Sequence, residues 1–197
     1  MKAMFDKLAK LGIETLNQDV IDTNERVPVF IEDLALPDDY LSYLKTYPRT
    51  SWFKKEIKFV GEQHSPTSGN GEEILELLFA SNNGSSYDII ELRECYAEQV
   101  PSNYLIIGEV TGGNFICMKL GEITEIAVWD KTIPDSFSNS LFKVSGSFTE
   151  FIDVLVEVNN QGCEEQDNRK LISFNTSPEL DALAEAFKKK HNINQSS

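Results

Sequence analysis

The chain has 197 residues, of which 41% are hydrophobic and 25% charged, so it can bury the core of one globular domain. Its 32 acidic residues outnumber 18 lysines and arginines, and the net charge of −14 disfavours direct binding to nucleic acid or to an anionic membrane. Three well-separated cysteines, the lack of a membrane-length apolar run and a charged start without a signal-peptide core favour a reduced, cytoplasmic chain.

The first helix is predicted over residues 3–11. Met4, Leu8 and Leu11 recur there at helical spacing, and Gly12 supplies a helix end.

Two further short helices are predicted within residues 27–48, after a polar loop at 17–26. Pro37 disfavours helix at the residue before it and separates the two helices, and Pro48 closes the second.

The pattern then changes to that of strands. Residues 56–60 and 74–80 are predicted strands on either side of a Ser/Pro/Gly-rich loop at 64–73. A turn at 81–86 is followed by a helix predicted over 87–100.

Three consecutive strands are predicted at 104–110, 114–120 and 123–129. Short glycine-containing turns at 111–113 and 121–122 separate them, which indicates an antiparallel meander.

A helix is predicted over 147–161, where Ser147 and Glu150 form a capping box. A polar linker and a last helix from Ser177 follow. This order of elements predicts an α+β fold, with an antiparallel meander sheet flanked by helices.

We divide the chain into an N-terminal extension (1–27), a single central domain (28–160), and a linker with an extra C-terminal helix (161–197). The acidic charge is concentrated in the centre: residues 61–160 hold 16 acidic residues against four basic ones, a net charge of −12. This segment is either a solvated surface that keeps the protein soluble or a face that docks a basic partner.

The sequence contains few residues in patterns typical of a catalytic site. His64 and His191 have no cysteine or carboxylate at metal-ligand spacing, and no glycine-rich phosphate-binding loop occurs, so we expect no metal and no cofactor. Adjacent acids such as Glu72-Glu73 are typical of solvated surface. We expect a protein that is not an enzyme.

Two of the cysteines, Cys95 and Cys117, lie in segments of apolar periodicity and are predicted to be buried structural thiols. Trp129 and Asp130 end the third strand of the meander. Trp129 is either a core or edge aromatic residue or an exposed aromatic anchor beside an acidic rim.

Four segments carry a resemblance to a known family. They are Leu36-Pro37-Asp38-Asp39-Tyr40-Leu41 after a helical segment, Leu105-Ile106-Ile107-Gly108 with Gly112-Gly113-Asn114-Phe115-Ile116-Cys117-Met118, Ile126-Ala127-Val128-Trp129-Asp130, and Ser147-Phe148-Thr149-Glu150-Phe151-Ile152-Asp153-Val154-Leu155. In this order they resemble the SUKH superfamily (Smi1/Knr4-like), over about residues 28–158. The chain departs from that pattern at 46–50, where the family often has Asn-Gly-Gly, and at Lys131, where a histidine is frequent.

The resemblance implies an α+β protein-binding module without enzymatic activity. Bacterial members are typically encoded beside polymorphic toxins, often nucleases, and block them by direct binding. We therefore expect an immunity protein, a monomer or weak dimer, whose partner is a basic cognate toxin. The alternatives are a non-catalytic adaptor or regulator of cell-wall synthesis or signalling, as the yeast relative suggests, and, more remotely, a hydrolase that uses Glu72 and Glu73.

The predicted partner-binding residues lie at one end of the meander, where the charge is acidic. They are Glu109, Gly112, Gly113, Trp129 and Asp130.

Overall fold

The computed structural model describes residues 1–16, 34–81 and 87–158. The loop predicted at 17–26, the helix predicted before Pro37, most of the turn at 81–86, and the predicted linker and C-terminal helix lie outside the described residues. The residues up to Val158 belong to one compact unit.

Four α-helices occur within the described ranges. They are α1 (Lys2–Leu11), α2 (Asp38–Thr46), α3 (Ile89–Cys95) and α4 (Phe148–Val154). The predicted end of α1 is confirmed, because Gly12 adopts a left-handed conformation with φ 76°. Asp88 caps α3 by accepting a hydrogen bond from the backbone N–H of Ile90.

The helix predicted over 147–161 is shorter than expected. Ser147 caps α4 through the backbone N–H of Glu150, as predicted, but the Glu150 carboxylate accepts from the N–H of Gly146. The helix ends at Val154 because the chain becomes extended at Leu155 and then pairs with the sheet. Pairing with a distant strand outweighs local helical spacing there.

The same unit contains nine strands, all paired antiparallel in one sheet. They are β1 (Ile13–Thr15), β2 (Ser51–Phe53), β3 (Ile57–Val60), β4 (Glu72–Leu78), β5 (Tyr104–Val110), β6 (Asn114–Lys119), β7 (Glu125–Trp129), β8 (Leu141–Ser145) and β9 (Val156–Glu157). The order is β1-β2-β4-β5-β6-β7-β8, with β3 paired to both β4 and β9. The predicted α+β fold with a meander is confirmed.

One face of this sheet is buried under helices. Phe59 of β3 is fully buried and meets Phe151 of α4 edge-on, with ring centroids 5.3 Å apart. On the same helical layer, Tyr40 and Tyr43 of α2 pack against Phe148 of α4. These aromatic side chains join α2 and α4 to the sheet and supply much of the apolar area removed from water.

Candidate partner-binding face of the sheet

The opposite face of the sheet is only partly covered. Backbone pairing places Leu75 beside Val110 and Val110 beside Asn114. These residues lie on the face that α2 and α4 cover, since Leu75 is two residues from Glu73, the partner of Phe59. Side chains alternate along a strand, so Phe115 on β6 and its partner Glu109 on β5 project from the other face. We call this second face the open face.

A row of paired residues crosses the open face. Leu77 pairs with Glu109, Glu109 with Phe115, and Phe115 with Trp129. Trp52 continues the row on β2. Its neighbour Ser51 pairs with Leu78 of the antiparallel strand β4, so Trp52 lies beside Leu77.

Cover over this row is uneven. Tyr96, which follows α3, packs edge-on against both Phe115 and Trp129, at centroid distances of 5.2 and 5.7 Å. Trp52 lies at the other end of the row and is 38% exposed. The next residue of the row, Leu77 on β4, is half-buried. The open face therefore presents an aromatic residue, an aliphatic residue and a carboxylate to a partner.

Three of the predicted residues lie where a partner can reach them. Glu109 is half-buried near the end of β5, and a Cβ atom built on Gly113 would lie 3.8 Å from its carboxylate Oε1. Gly112 and Gly113 form the turn with φ of 91° and 80°, and space is open around Gly112. The structure thus brings Glu109 and this turn together.

Trp129 does not serve as an exposed anchor. It is 5% exposed, because Tyr96 and Phe137 pack against its indole from the open face. The structural alternative for this residue, a core aromatic, is the correct one.

Asp130 is also placed differently from the prediction of an acidic rim. It is fully buried, and its carboxylate accepts hydrogen bonds from the Ser65 hydroxyl, from the Thr67 hydroxyl at 2.5 Å and from the backbone N–H of Thr132 at 2.9 Å. These bonds attach the loop before β4, which contains Ser65 and Thr67, to the end of β7. Burial raises the pKa of Asp130, but the hydrogen bonds outweigh burial and hold this pKa below its ordinary value.

Glu72 and Glu73, the carboxylates of the remote hydrolase alternative, do not converge. They are adjacent on β4 and pair with Val60 and Phe59, so they project from opposite faces. Glu72 forms an ion pair with Lys58 at 2.6 Å. Glu73 points to the helical face, and its Oε1 is buried without a hydrogen-bond partner among the described residues.

Replacing Glu73 by glutamine is expected to stabilise the protein at pH 7. Burial, and then the charge of Asp130, raise the pKa of Glu73, so the folded state is penalised above that pKa and relieved as the pH falls through it. We expect Glu73→Gln to raise the free energy of unfolding by no more than about 1 kcal/mol, since water screens a half-buried charge. Urea unfolding at pH 7 and at pH 4 measures the gain, which should shrink at pH 4.

The matched control is Glu72→Gln, which removes the partner of Lys58 and should not stabilise. Equal effects of the two changes at pH 7 would contradict the account given for Glu73.

The cysteines divide between core and surface. Cys117 is fully buried on β6, and burial raises the pKa of its thiol. Cys95 is exposed, contrary to prediction, because the buried positions of α3 are Ile89 and Leu92 and the helix ends at Cys95. Cys163 lies outside the described residues.

Trp52 and Leu77 were missed as candidates for the partner surface. β2 has three residues, which is too short for a periodic signal in the sequence. In the structure its residues do alternate, with the exposed Trp52 between two buried neighbours. Among the described residues, no group of three or more histidine, cysteine, aspartate or glutamate side chains is arranged to hold a metal ion. No described helix has the length and apolar character that crossing a membrane requires.

Comparison with protein-family models identifies a family that the chain matches. The family model of the SMI1 / KNR4 family (SUKH-1) matches residues 30–154, which include β2 to β8 and the open face. Neither the curated proteins nor the solved structures contain a significant match. Because the match covers more than half of the chain, the protein belongs to the SMI1 / KNR4 family (SUKH-1).

Proposed function

We propose that this protein is an immunity protein that binds a cognate toxin and neutralises it by direct contact. The observation that carries the proposal is the open face, where Trp52, Leu77 and Glu109 lie side by side within the segment that matches the family. An exposed aromatic side chain beside an aliphatic one supplies affinity, and a neighbouring carboxylate supplies charge selectivity.

The charge around this face supports a basic partner. Glu76 is exposed on β4 and Glu109 is half-buried on β5. Burial, and then the charge of Glu76, raise the pKa of Glu109. Glu91, Glu94 and Glu98, in and after α3, are exposed as well. A toxin that grips nucleic acid through lysines and arginines would find carboxylates here in place of phosphates.

A rescue assay joined to a pull-down tests the proposal. The toxin-like reading frame beside this gene is induced in cells with and without the chain, and the purified pair is analysed at low and high salt. We expect restored growth and a one-to-one complex that weakens as salt rises. A folded chain that neither rescues growth nor binds the toxin would defeat the immunity proposal and favour the adaptor alternative.

Reversing the charge of Glu109 should slow association with the toxin. Because Glu109 lies on the open face near the end of β5, Glu109→Lys turns an attractive charge into a repulsive one, and we expect the association rate to fall roughly tenfold. Stopped-flow or surface-plasmon measurements at low ionic strength give this rate.

Glu122→Lys is the matched control. It makes the same change in net charge on the exposed turn between β6 and β7, at the opposite end of the meander from Gly112 and Gly113. If the two variants slow association equally, net charge governs the encounter and Glu109 has no special place in it.

A further inference from the structure

A lysine side chain lies on the aromatic part of the open face. The Lys131 Nζ is 3.7 Å from the centroid of the Phe115 ring and 5.8 Å from that of Tyr96. Phe115 is only 6% exposed. Lys131 therefore contributes to the burial of this ring, in the geometry of a cation–π contact.

The aromatic platform beneath Lys131 is held from several sides. The Phe115 ring meets Tyr96 edge-on at 5.2 Å and Phe79 edge-on at 6.3 Å, and is tilted against Trp129 at 6.1 Å. Neighbouring rings in contact restrict one another's rotamers, so the platform is preorganised.

A carboxylate borders the platform. Glu109 pairs with Phe115 across β5 and β6, and its charge favours the charged form of Lys131. Burial nevertheless lowers the pKa of Lys131, and Cys117 is the other titratable group that acts on it. The site thus holds a partly desolvated cation between aromatic rings and a carboxylate.

We propose that Phe115, Tyr96 and Glu109 form a cation-binding subsite, which Lys131 fills in the free protein and an arginine or lysine side chain of the bound partner fills in the complex. That the partner is the toxin rests on the proposed function, whereas the subsite itself does not.

The exchange of cations is physically reasonable at this position. Lys131 as a residue is exposed and follows directly after β7, and its amine makes no ion pair at 4 Å or less with a carboxylate among the described residues. Its stem can turn into solvent at a small cost. A guanidinium group would stack on Phe115 with its planar face and could offer two N–H donors to Glu109, which an ammonium group does with less directional fit.

Ethylguanidinium chloride, an analogue of the arginine side chain, tests the subsite without the toxin. The probe is titrated into wild-type protein and into Lys131→Met while NMR follows the ring protons of Phe115 and Tyr96 and the indole of Trp129. We expect saturable shifts in Lys131→Met, and binding to the wild type at least about fivefold weaker, in line with the strength of a partly desolvated cation–π contact. Lys131→Gln is the second variant, and unfolding curves check that both fold.

Lys119→Met is the matched control for net charge. Lys119 lies on the same strand and the same face as Phe115, four residues further along the chain. Its replacement by methionine should leave ethylguanidinium binding at the wild-type level. Adding Glu109→Gln to Lys131→Met should weaken binding severalfold. Equal binding by Lys119→Met and Lys131→Met, or no loss with Glu109→Gln, would overturn the subsite.

The complex gives the second readout. If the toxin supplies the cation, Lys131→Met should dissociate from it several times more slowly than Lys119→Met does, because the subsite no longer has an internal competitor. Identical dissociation of the two variants would overturn the use of the subsite by the toxin. Absence of any complex with the wild-type chain would instead defeat the proposed function, and the ethylguanidinium titration would still decide the subsite.

Discussion

Replacing Phe148 by alanine should lower the free energy of unfolding by about 3–5 kcal/mol, the range measured for aromatic truncations in protein cores. Phe148 opens α4 and is fully buried. Its ring lies 4.9 Å from that of Tyr40, 5.1 Å from that of Tyr43 and 6.2 Å from that of Phe151. The truncation leaves a cavity where α2 and α4 meet, which three large rings cannot fill without leaving their rotamers.

Equilibrium unfolding in urea, followed by circular dichroism and tryptophan fluorescence, measures this loss. Phe148→Leu keeps most of the volume and should cost less than about 1.5 kcal/mol. Ile123→Ala removes an apolar side chain that is 75% exposed and should change stability by less than about 0.5 kcal/mol. If Phe148→Ala resembled Ile123→Ala, the packing of α4 described above would be wrong.

Replacing Asp130 by alanine should lower the free energy of unfolding by about 3 kcal/mol, because it removes several charge-assisted hydrogen bonds at once from a buried carboxylate. The hydroxyl groups of Ser65 and Thr67 and the backbone N–H of Thr132 all donate to this carboxylate. The loop that contains Ser65 is attached to the sheet largely through these bonds. We therefore expect faster amide hydrogen exchange in that loop, as well as a lower urea midpoint.

The stability that Asp130 contributes should depend on pH in a defined direction. Its folded pKa is lowered, so the contribution is fully present above the unfolded pKa, near about 3.9, and is lost as the pH falls through the folded pKa. The difference between the wild type and Asp130→Ala should thus narrow below about pH 4.

Asp135 provides the control for Asp130. It is exposed and accepts hydrogen bonds from Ser136 and Asn139 outside the core, so Asp135→Ala should change stability little. A large loss in Asp135→Ala, or none in Asp130→Ala, would contradict the structural role assigned to the buried carboxylate.

Local signals in the sequence were sufficient for much of the fold. Gly12 ends α1, Pro37 precedes α2, and the glycine turns separate the meander strands, as predicted. Each of these signals acts over a few residues, through allowed backbone angles or side-chain alternation, and therefore needs no tertiary partner. The order of the motifs along the chain also indicates the family whose model matches residues 30–154.

Only the tertiary structure decided which side chains face a partner. Alternation at the end of β7 directs the side chains of Trp129 and Asp130 to opposite faces of the sheet. It does not predict that Tyr96 and Phe137 cover Trp129 or that Ser65 donates a hydrogen bond to Asp130. The contacts of Tyr96 and Ser65 join segments more than 30 residues apart in the sequence, whereas Phe137 is close to Trp129. The burial of a strand residue therefore depends on which distant side chains pack over its face of the sheet. The same reason applies to β1 and β2, which have three residues each, and to β9, which lies in a segment predicted to be helical. These strands form because a neighbouring strand completes their hydrogen bonds.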